Sequence, residues 1–204
     1  MKVTRRAFLR YGLEAGAMVG LVGGLSVLSV DAAYVRPPRA LSPEAFTSRC
    51  MRCGVCVEVC PTRCLSLVDL TLDVRNMSTP EIAPRFGGCE AWATGCKACA
   101  EACPTGALDP LRQLADEKPG HADLEPNRCV NCMVCFIRCP VPGAVLFPNP
   151  DGEPFTREQD IPTRLKLRTS PLKPYIDATR CVGCGLCVHY CPEHIMSLEP
   201  EVRL

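Results

Sequence analysis

Four times the chain gathers cysteines into a tight run and closes the run with proline, and no other feature constrains its folding as strongly. "CMRCGVCVEVCP" places Cys50, Cys53, Cys56 and Cys60 before Pro61, and "CEAWATGCKACAEACP" places Cys89, Cys96, Cys99 and Cys103 before Pro104. "CVNCMVCFIRCP" places Cys129, Cys132, Cys135 and Cys139 before Pro140, and "CVGCGLCVHYCP" places Cys181, Cys184, Cys187 and Cys191 before Pro192. Runs one, three and four share the spacing C-x2-C-x2-C-x3-C-P; run two only lengthens its first spacer from two residues to six.

That spacing has a physical reason. A loop with a sulfur at every third residue can wrap three corners of a cubane cluster, with its backbone amides turned toward the inorganic sulfides. The fourth cysteine follows four residues later, beside a proline that fixes φ and removes an N–H. It points away and ligates a neighbouring cluster, as in bacterial two-cluster ferredoxins. Two runs therefore make one two-cluster unit, and four runs make two units with four 4Fe-4S clusters. Zinc sites favour separated C-x2-C pairs or mixed Cys/His sets rather than single blocks of four followed by proline. A disulfide framework would fit a high cysteine count, but close-set cysteines of one run are poor partners for one another.

Composition agrees. The 47% hydrophobic fraction includes 17 cysteines among 204 residues; without them about 39% remains, part of it outside any core. A core that thin borrows stability from crosslinks or metals. A formal net charge of +1 gives no sign of a nucleic-acid partner, which calls for a clear Lys/Arg excess.

The N-terminus reads as a targeting segment. "TRRAFLR" carries the paired Arg5 and Arg6 of a twin-arginine signal, ahead of a Gly-rich, moderately apolar run from Tyr11 to Val30. Small residues at Val30 and Ala32 fit cleavage before Ala33, yet the run is also long enough to be kept as a membrane anchor. The twin-arginine route carries folded proteins, so thiols bonded to iron in the reducing cytoplasm would survive an oxidising compartment.

The expected fold class is α+β: short strands, short helices and long loops in two ferredoxin-like units. Residues 1–32 are the signal or anchor, 33–49 a Pro-rich extended lead-in, and 50–204 the cluster domain. Short helical turns are expected after the runs, then apolar stretches at 65–72, 144–147 and 195–198, with single strands in "DLEPNR" and "YIDATR". The connectors 65–88, 108–128 and 148–175 read as irregular loops. Arg157, Arg164, Lys166, Arg168 and Lys173 could dock an acidic partner, although a solvated hairpin is the plainer reading. Cys64, in "CPTRCL", takes the place of Ala107 in "CPTGAL", as a small buried thiol beneath the loop rather than a ligand. His121, His189 and His194 read as spacer residues, and Trp92 as a shield over a cluster.

These residues carry a resemblance. "TRRAFLR", then "RPPRALSPEAFTSRCMRCGVCVEVCP", then an altered second run and two further runs, resemble the NapG/MauM type of ferredoxin across essentially the whole chain. The resemblance implies a periplasmic electron carrier at the membrane face, accepting electrons from a quinone-linked integral membrane protein and passing them to a periplasmic redox enzyme or cytochrome. By analogy with related four-cluster subunits it also implies nested pairing. Cys50, Cys53 and Cys56 would share a cluster with Cys191, and Cys181, Cys184 and Cys187 with Cys60. Cys89, Cys96 and Cys99 would join Cys139, and Cys129, Cys132 and Cys135 would join Cys103. Sequential pairing of runs one with two and three with four stays open. Every run supplies its full set of ligands, so no iron is left for a substrate; the expected role is an electron carrier without its own active site. The alternative is a structural or maturation component whose clusters staple the fold.

Overall fold

The computed structural model describes residues 33–69, 73, 75–148 and 171–201, together with residue 16. The expected signal or anchor over 1–32, and Arg157, Arg164, Lys166 and Arg168, lie outside the described residues. Among the described residues no helix is long and apolar enough to cross a membrane.

Helices and strands alternate in short pieces: α1 (Pro43–Arg49), α2 (Val55–Glu58), β1 (Leu65–Leu67), β2 (Pro80–Ile82), α3 (Ala91–Thr94) and α4 (Ala98–Glu101). A second series follows: β3 (Gly120–Leu124), α5 (Val134–Arg138), β4 (Val145–Leu146), β5 (Tyr175–Ile176), α6 (Leu186–Tyr190) and β6 (Met196–Pro200). All pairing is antiparallel and follows one scheme twice. The segment after an odd run pairs with the segment before the next run: Leu65–Leu67 with Pro80–Ile82, and Val145–Leu146 with Tyr175–Ile176. The segment before an odd run pairs with the segment after the next one. In the second unit this is the five-residue ladder of β3 with β6; in the first it shrinks to a bridge between Ala40 and Leu108, flanked by Leu41 N–H to Ala107 O at 3.1 Å and Asp109 N–H to Arg39 O at 2.9 Å. Each pair of runs is thereby closed into its own unit.

Expected and observed elements differ in three places. The helical turns lie inside the runs, each beginning one residue before the third cysteine, and tight turns follow the prolines. The lead-in turns at Pro38–Arg39, where Arg39 takes φ 66°, and Pro43 then opens α1, as proline does at a first helical position where its missing N–H costs nothing. The connectors read as loops contain β2 and most of β3, while β1 opens the apolar stretch expected at 65–72. The lead-in is also part of the core. Val35 is buried and accepts from Ile82 N–H at 2.7 Å. Arg36 stretches across the rings of Tyr34 and Phe46, 5.0 Å from each, and donates to Thr79 Oγ1 at 2.7 Å.

Three apolar clusters make the core, and cysteines belong to all of them. One forms around Phe46, Ala107 and Leu108, another around Phe136 and Phe147, whose rings meet edge to face at 5.7 Å. The third, around Cys64, Cys89, Cys184 and Leu186, joins the two units.

Candidate metal centres

The loop of each short-spaced run is built from two left-handed residues. After the first cysteine these are Arg52, Asn131 and Gly183, with φ of 59°, 53° and 66°; after the second they are Gly54, Met133 and Gly185, with φ of 75°, 63° and 74°. Alternating right- and left-handed backbone curls successive N–H groups toward one concave side, a cradle for negative charge. Run two obtains its curl differently: its six-residue spacer forms α3, Gly95 takes φ 75° before Cys96, and Lys97 stays at φ −138°. Buried Arg39 braces this longer spacer, donating from Nη1 to the Cys96 carbonyl and from Nε to that of Arg112, both at 3.2 Å.

The cysteines line four pockets of similar size. Cage one is Cys50, Cys53, Cys56 and Cys103. Cage two is Cys89, Cys96, Cys99 and Cys60, with Cys64 also on its wall. Cage three is Cys129, Cys132, Cys135 and Cys191, and cage four is Cys181, Cys184, Cys187 and Cys139. Each has three cysteines of one run and the fourth of its neighbour, as the spacing argument requires.

The pairing is sequential, which corrects the nested expectation. Cys103, not Cys191, completes the cage of Cys50, Cys53 and Cys56; Cys60, not Cys139, completes that of Cys89, Cys96 and Cys99. Cys191, not Cys103, joins Cys129, Cys132 and Cys135, and Cys139, not Cys60, joins Cys181, Cys184 and Cys187. The cause is the strand pairing. The β1–β2 pair returns the chain to run one, and the Ala40–Leu108 bridge holds the end of run two against the lead-in. In the second unit α5 packs on α6, with the Arg138 guanidinium 4.4 Å above the Tyr190 ring.

The cages fit clusters on three observations. Among the described residues no three Cys, His, Asp or Glu side chains converge as a single ion requires; the thiols are instead spread four to a cage, as the corners of a multi-iron body require. Trp92 Nε1 is buried without a protein partner, on a side chain packed against the apolar cluster that contains Cys64 and Cys89, a donor left for an acceptor the protein does not supply. The thiols also repel charge when the cages hold no iron. Burial, then the Cys50 thiol, pushes Cys56 up to about 11; burial likewise holds Cys99, Cys135 and Cys184 at about 12 and Cys187 well above the usual thiol value. Cys103 goes the other way: burial raises it, but backbone N–H groups of Leu108, Thr105 and Ala107 and the Thr105 hydroxyl outweigh that. Bound iron would replace the protons such a cage otherwise keeps.

Cys64 is buried, as expected, 2% exposed against 1% for Ala107. Its place on the wall of cage two, with Sγ 3.6 Å from Cys60 Sγ, was not legible from sequence. Its thiol is held at about 12: the Cys60 contact lowers it, while the Cys89 contact and burial raise it. Lys173 does not reach out to a partner; its Nζ donates to the Cys129 carbonyl at 2.7 Å and ties β5 to run three. No histidine lines a cage. His121 sits in β3, His189 Nδ1 lies 3.2 Å from the Pro84 carbonyl, and His194 forms the turn after run four.

Comparison with known proteins agrees with this geometry. The family described as "4Fe-4S dicluster domain" matches residues 49–107, the two runs of the first unit, and again 92–143; "4Fe-4S binding domain" matches 174–197, around run four. The "Methylamine utilization ferredoxin-type protein MauM" of Paracoccus denitrificans is 33% identical over 93% of this chain and 84% of its own length. That of Methylophilus methylotrophus is 33% identical over 100% of this chain and 84% of its own. "Ferredoxin-type protein NapG" of Escherichia coli is 34% identical over 92% of this chain and 80% of its own. With matched domains and relatives aligned along nearly its full length, the chain belongs to the NapG/MauM family of ferredoxin-type 4Fe-4S proteins.

Proposed function

We propose that this protein is a four-cluster electron relay, exported folded and working in the periplasm at the membrane surface, between a quinone-linked integral membrane protein and a periplasmic redox enzyme or cytochrome. The observation that carries the reading is the set of four complete four-cysteine cages. A bound 4Fe-4S cluster supplies one-electron exchange. The protein's own part is to hold and insulate. Sixteen cysteines would hold the irons, left-handed loop residues turn amides toward the inside of each cage, and the apolar clusters around Phe46, Leu186 and Phe147 would keep water from the inner sulfurs. The Ala122 N–H donates to Cys181 Sγ at 3.4 Å, a bond to sulfur of the kind that tunes cluster potentials.

Export is supported by the twin-arginine pattern at Arg5 and Arg6 and by the need to fill cages before meeting an oxidising compartment. The relatives' names place them with methylamine utilisation and ferredoxin-type chemistry, which favours a redox partner over a nucleic acid or small substrate. The competing reading, clusters as structural staples, draws on run four, all of whose cysteines are buried in the core.

The test is anaerobic purification followed by reduction. The relay reading expects about sixteen irons and as many sulfides per chain, reduced by quinol plus the membrane partner faster than that partner turns over. Clusters that stay oxidised on that timescale while the complex still assembles would hand the case to the staple reading. A colourless chain without iron or sulfide, prepared without air, would end both.

A further inference from the structure

The two units meet along one seam, and a glycine lines it. Gly88 directly precedes Cys89 and is buried. A Cβ at this position would stand 2.5 Å from Leu186 Cα and 2.6 Å from the Leu186 amide nitrogen, backbone atoms that no rotamer change can move aside. Glycine inside such a stretch marks a place where another backbone comes close. The closeness is used at once: the Cys89 N–H donates to the Cys184 carbonyl at 2.7 Å. Cys89 is a wall of cage two and Cys184 a wall of cage four. The seam is kept shut nearby, where His189 Nδ1 lies 3.2 Å from the Pro84 carbonyl and a Cβ on Gly185 would stand 2.9 Å from Pro84 Cβ.

The packing clusters give the order of the cages. The one around Phe46 touches Cys50, Cys56 and Cys103 of cage one and Cys99 of cage two. The one around Phe147 holds cysteines of cages three and four. The one between them holds Cys89 of cage two and Cys184 of cage four in its buried part, with Cys60 and Cys99 of cage two and Cys56 of cage one packed at its margin and no cysteine of cage three. We infer that the cages stand in the spatial order one, two, four, three, and that Gly88 sets the separation across the two–four step by letting the Cys89 and Cys184 backbones hydrogen-bond directly. This rests on the reading of the cages as cluster sites. Gly88 is a positioning residue: it touches no iron, and a side chain there would widen the seam while leaving all four thiols of each cage in place. Magnetic and electronic coupling between centres falls steeply with distance, so the seam controls how strongly the two units are joined.

The experiment is electron paramagnetic resonance of the fully reduced, anaerobically loaded full-length chain, reading spin–spin interaction beside iron and sulfide content. Removing cage one with Cys50→Ala and Cys53→Ala, and cage three with Cys129→Ala and Cys132→Ala, leaves cages two and four. That chain should hold about half the wild-type iron and keep the interaction. Removing cage two with Cys96→Ala and Cys99→Ala, again together with cage three, leaves cages one and four; the interaction should then be lost. Gly88→Ala, and more strongly Gly88→Val, should weaken the two–four interaction with iron and sulfide content unchanged. A one–four interaction as strong as the two–four interaction overturns the order, and an unaltered two–four interaction in a loaded Gly88 variant overturns the role of Gly88. Both failures leave the cluster reading standing, whereas that reading falls if the wild-type chain, purified without air, binds no iron.

Discussion

Runs one and four share their spacing to the residue, and the molecule treats them oppositely. Cys53 is exposed, and Cys50, Cys56 and Cys60 are half-buried, whereas Cys181, Cys184, Cys187 and Cys191 are all buried. Run one leaves Met51 62% and Val55 38% exposed beside its cage. Run four is enclosed by the seam on one side and the β3–β6 sheet on the other. The lesson is a division of labour: spacing decides which sulfurs can hold a cluster, and packing decides how dry that cluster is and how far the fold depends on it.

The sharpest way to break this comparison is to delete one ligand from each run. Cys187→Ala opens a hole in the apolar cluster that also holds cage three, so it should cost both cages of the second unit, about eight of sixteen irons. Cys53→Ala should cost cage one alone, about four irons, with the rest of the chain folded. Iron counting with visible circular dichroism reads both; equal losses would mean that burial does not decide dependence on the cluster.

Next in size is a core truncation. Phe147, 1% exposed and edge-on to Phe136, should lose about 3–5 kcal/mol on change to alanine. Leu111, 82% exposed in the first unit, should stay within about 0.5 kcal/mol. Denaturant midpoints of the loaded chain separate the two. A chelator should then strip iron from cage one several-fold faster than from cage four, followed as loss of one cluster's signal before the others.

The smallest effect is a pH slope confined to the iron-free chain. Several of its cage thiols sit high in the folded state, Cys56 at about 11 and Cys184 at about 12, against about 8.5 in an unfolded chain. The folded state keeps protons that the unfolded state gives up. Stability should therefore be fully present below about pH 8.5 and fall as pH rises above it. The loaded chain, whose thiolates are bonded to iron, should lack that slope. Thermal unfolding of both forms at neutral and alkaline pH checks the sign.

Much of the site was legible because its chemistry is local. The sixteen cysteines, their grouping in threes plus one, and the buried character of Cys64 follow from spacing within a few residues. Pairing was not legible, because the destination of Cys60, Cys103, Cys139 and Cys191 depends on which strands pair, and two- and three-residue strands leave weak periodicity. "LSL" and "PEI" were the available signal for the first hairpin, and Ser42-Pro43-Glu44 was the signal for α1, hidden by its neighbouring prolines. Gly88 carries no spacing signal of its own; only the tertiary fold shows Leu186 lying against it.

Sequential closure of the cages is the claim on which the rest stands. Anomalous scattering at the iron edge from crystals of the anaerobically loaded chain tests it most directly. Four iron clusters per chain are expected, with Cys103 bonded to the one held by Cys50, Cys53 and Cys56. Cys191 found in that place would contradict it.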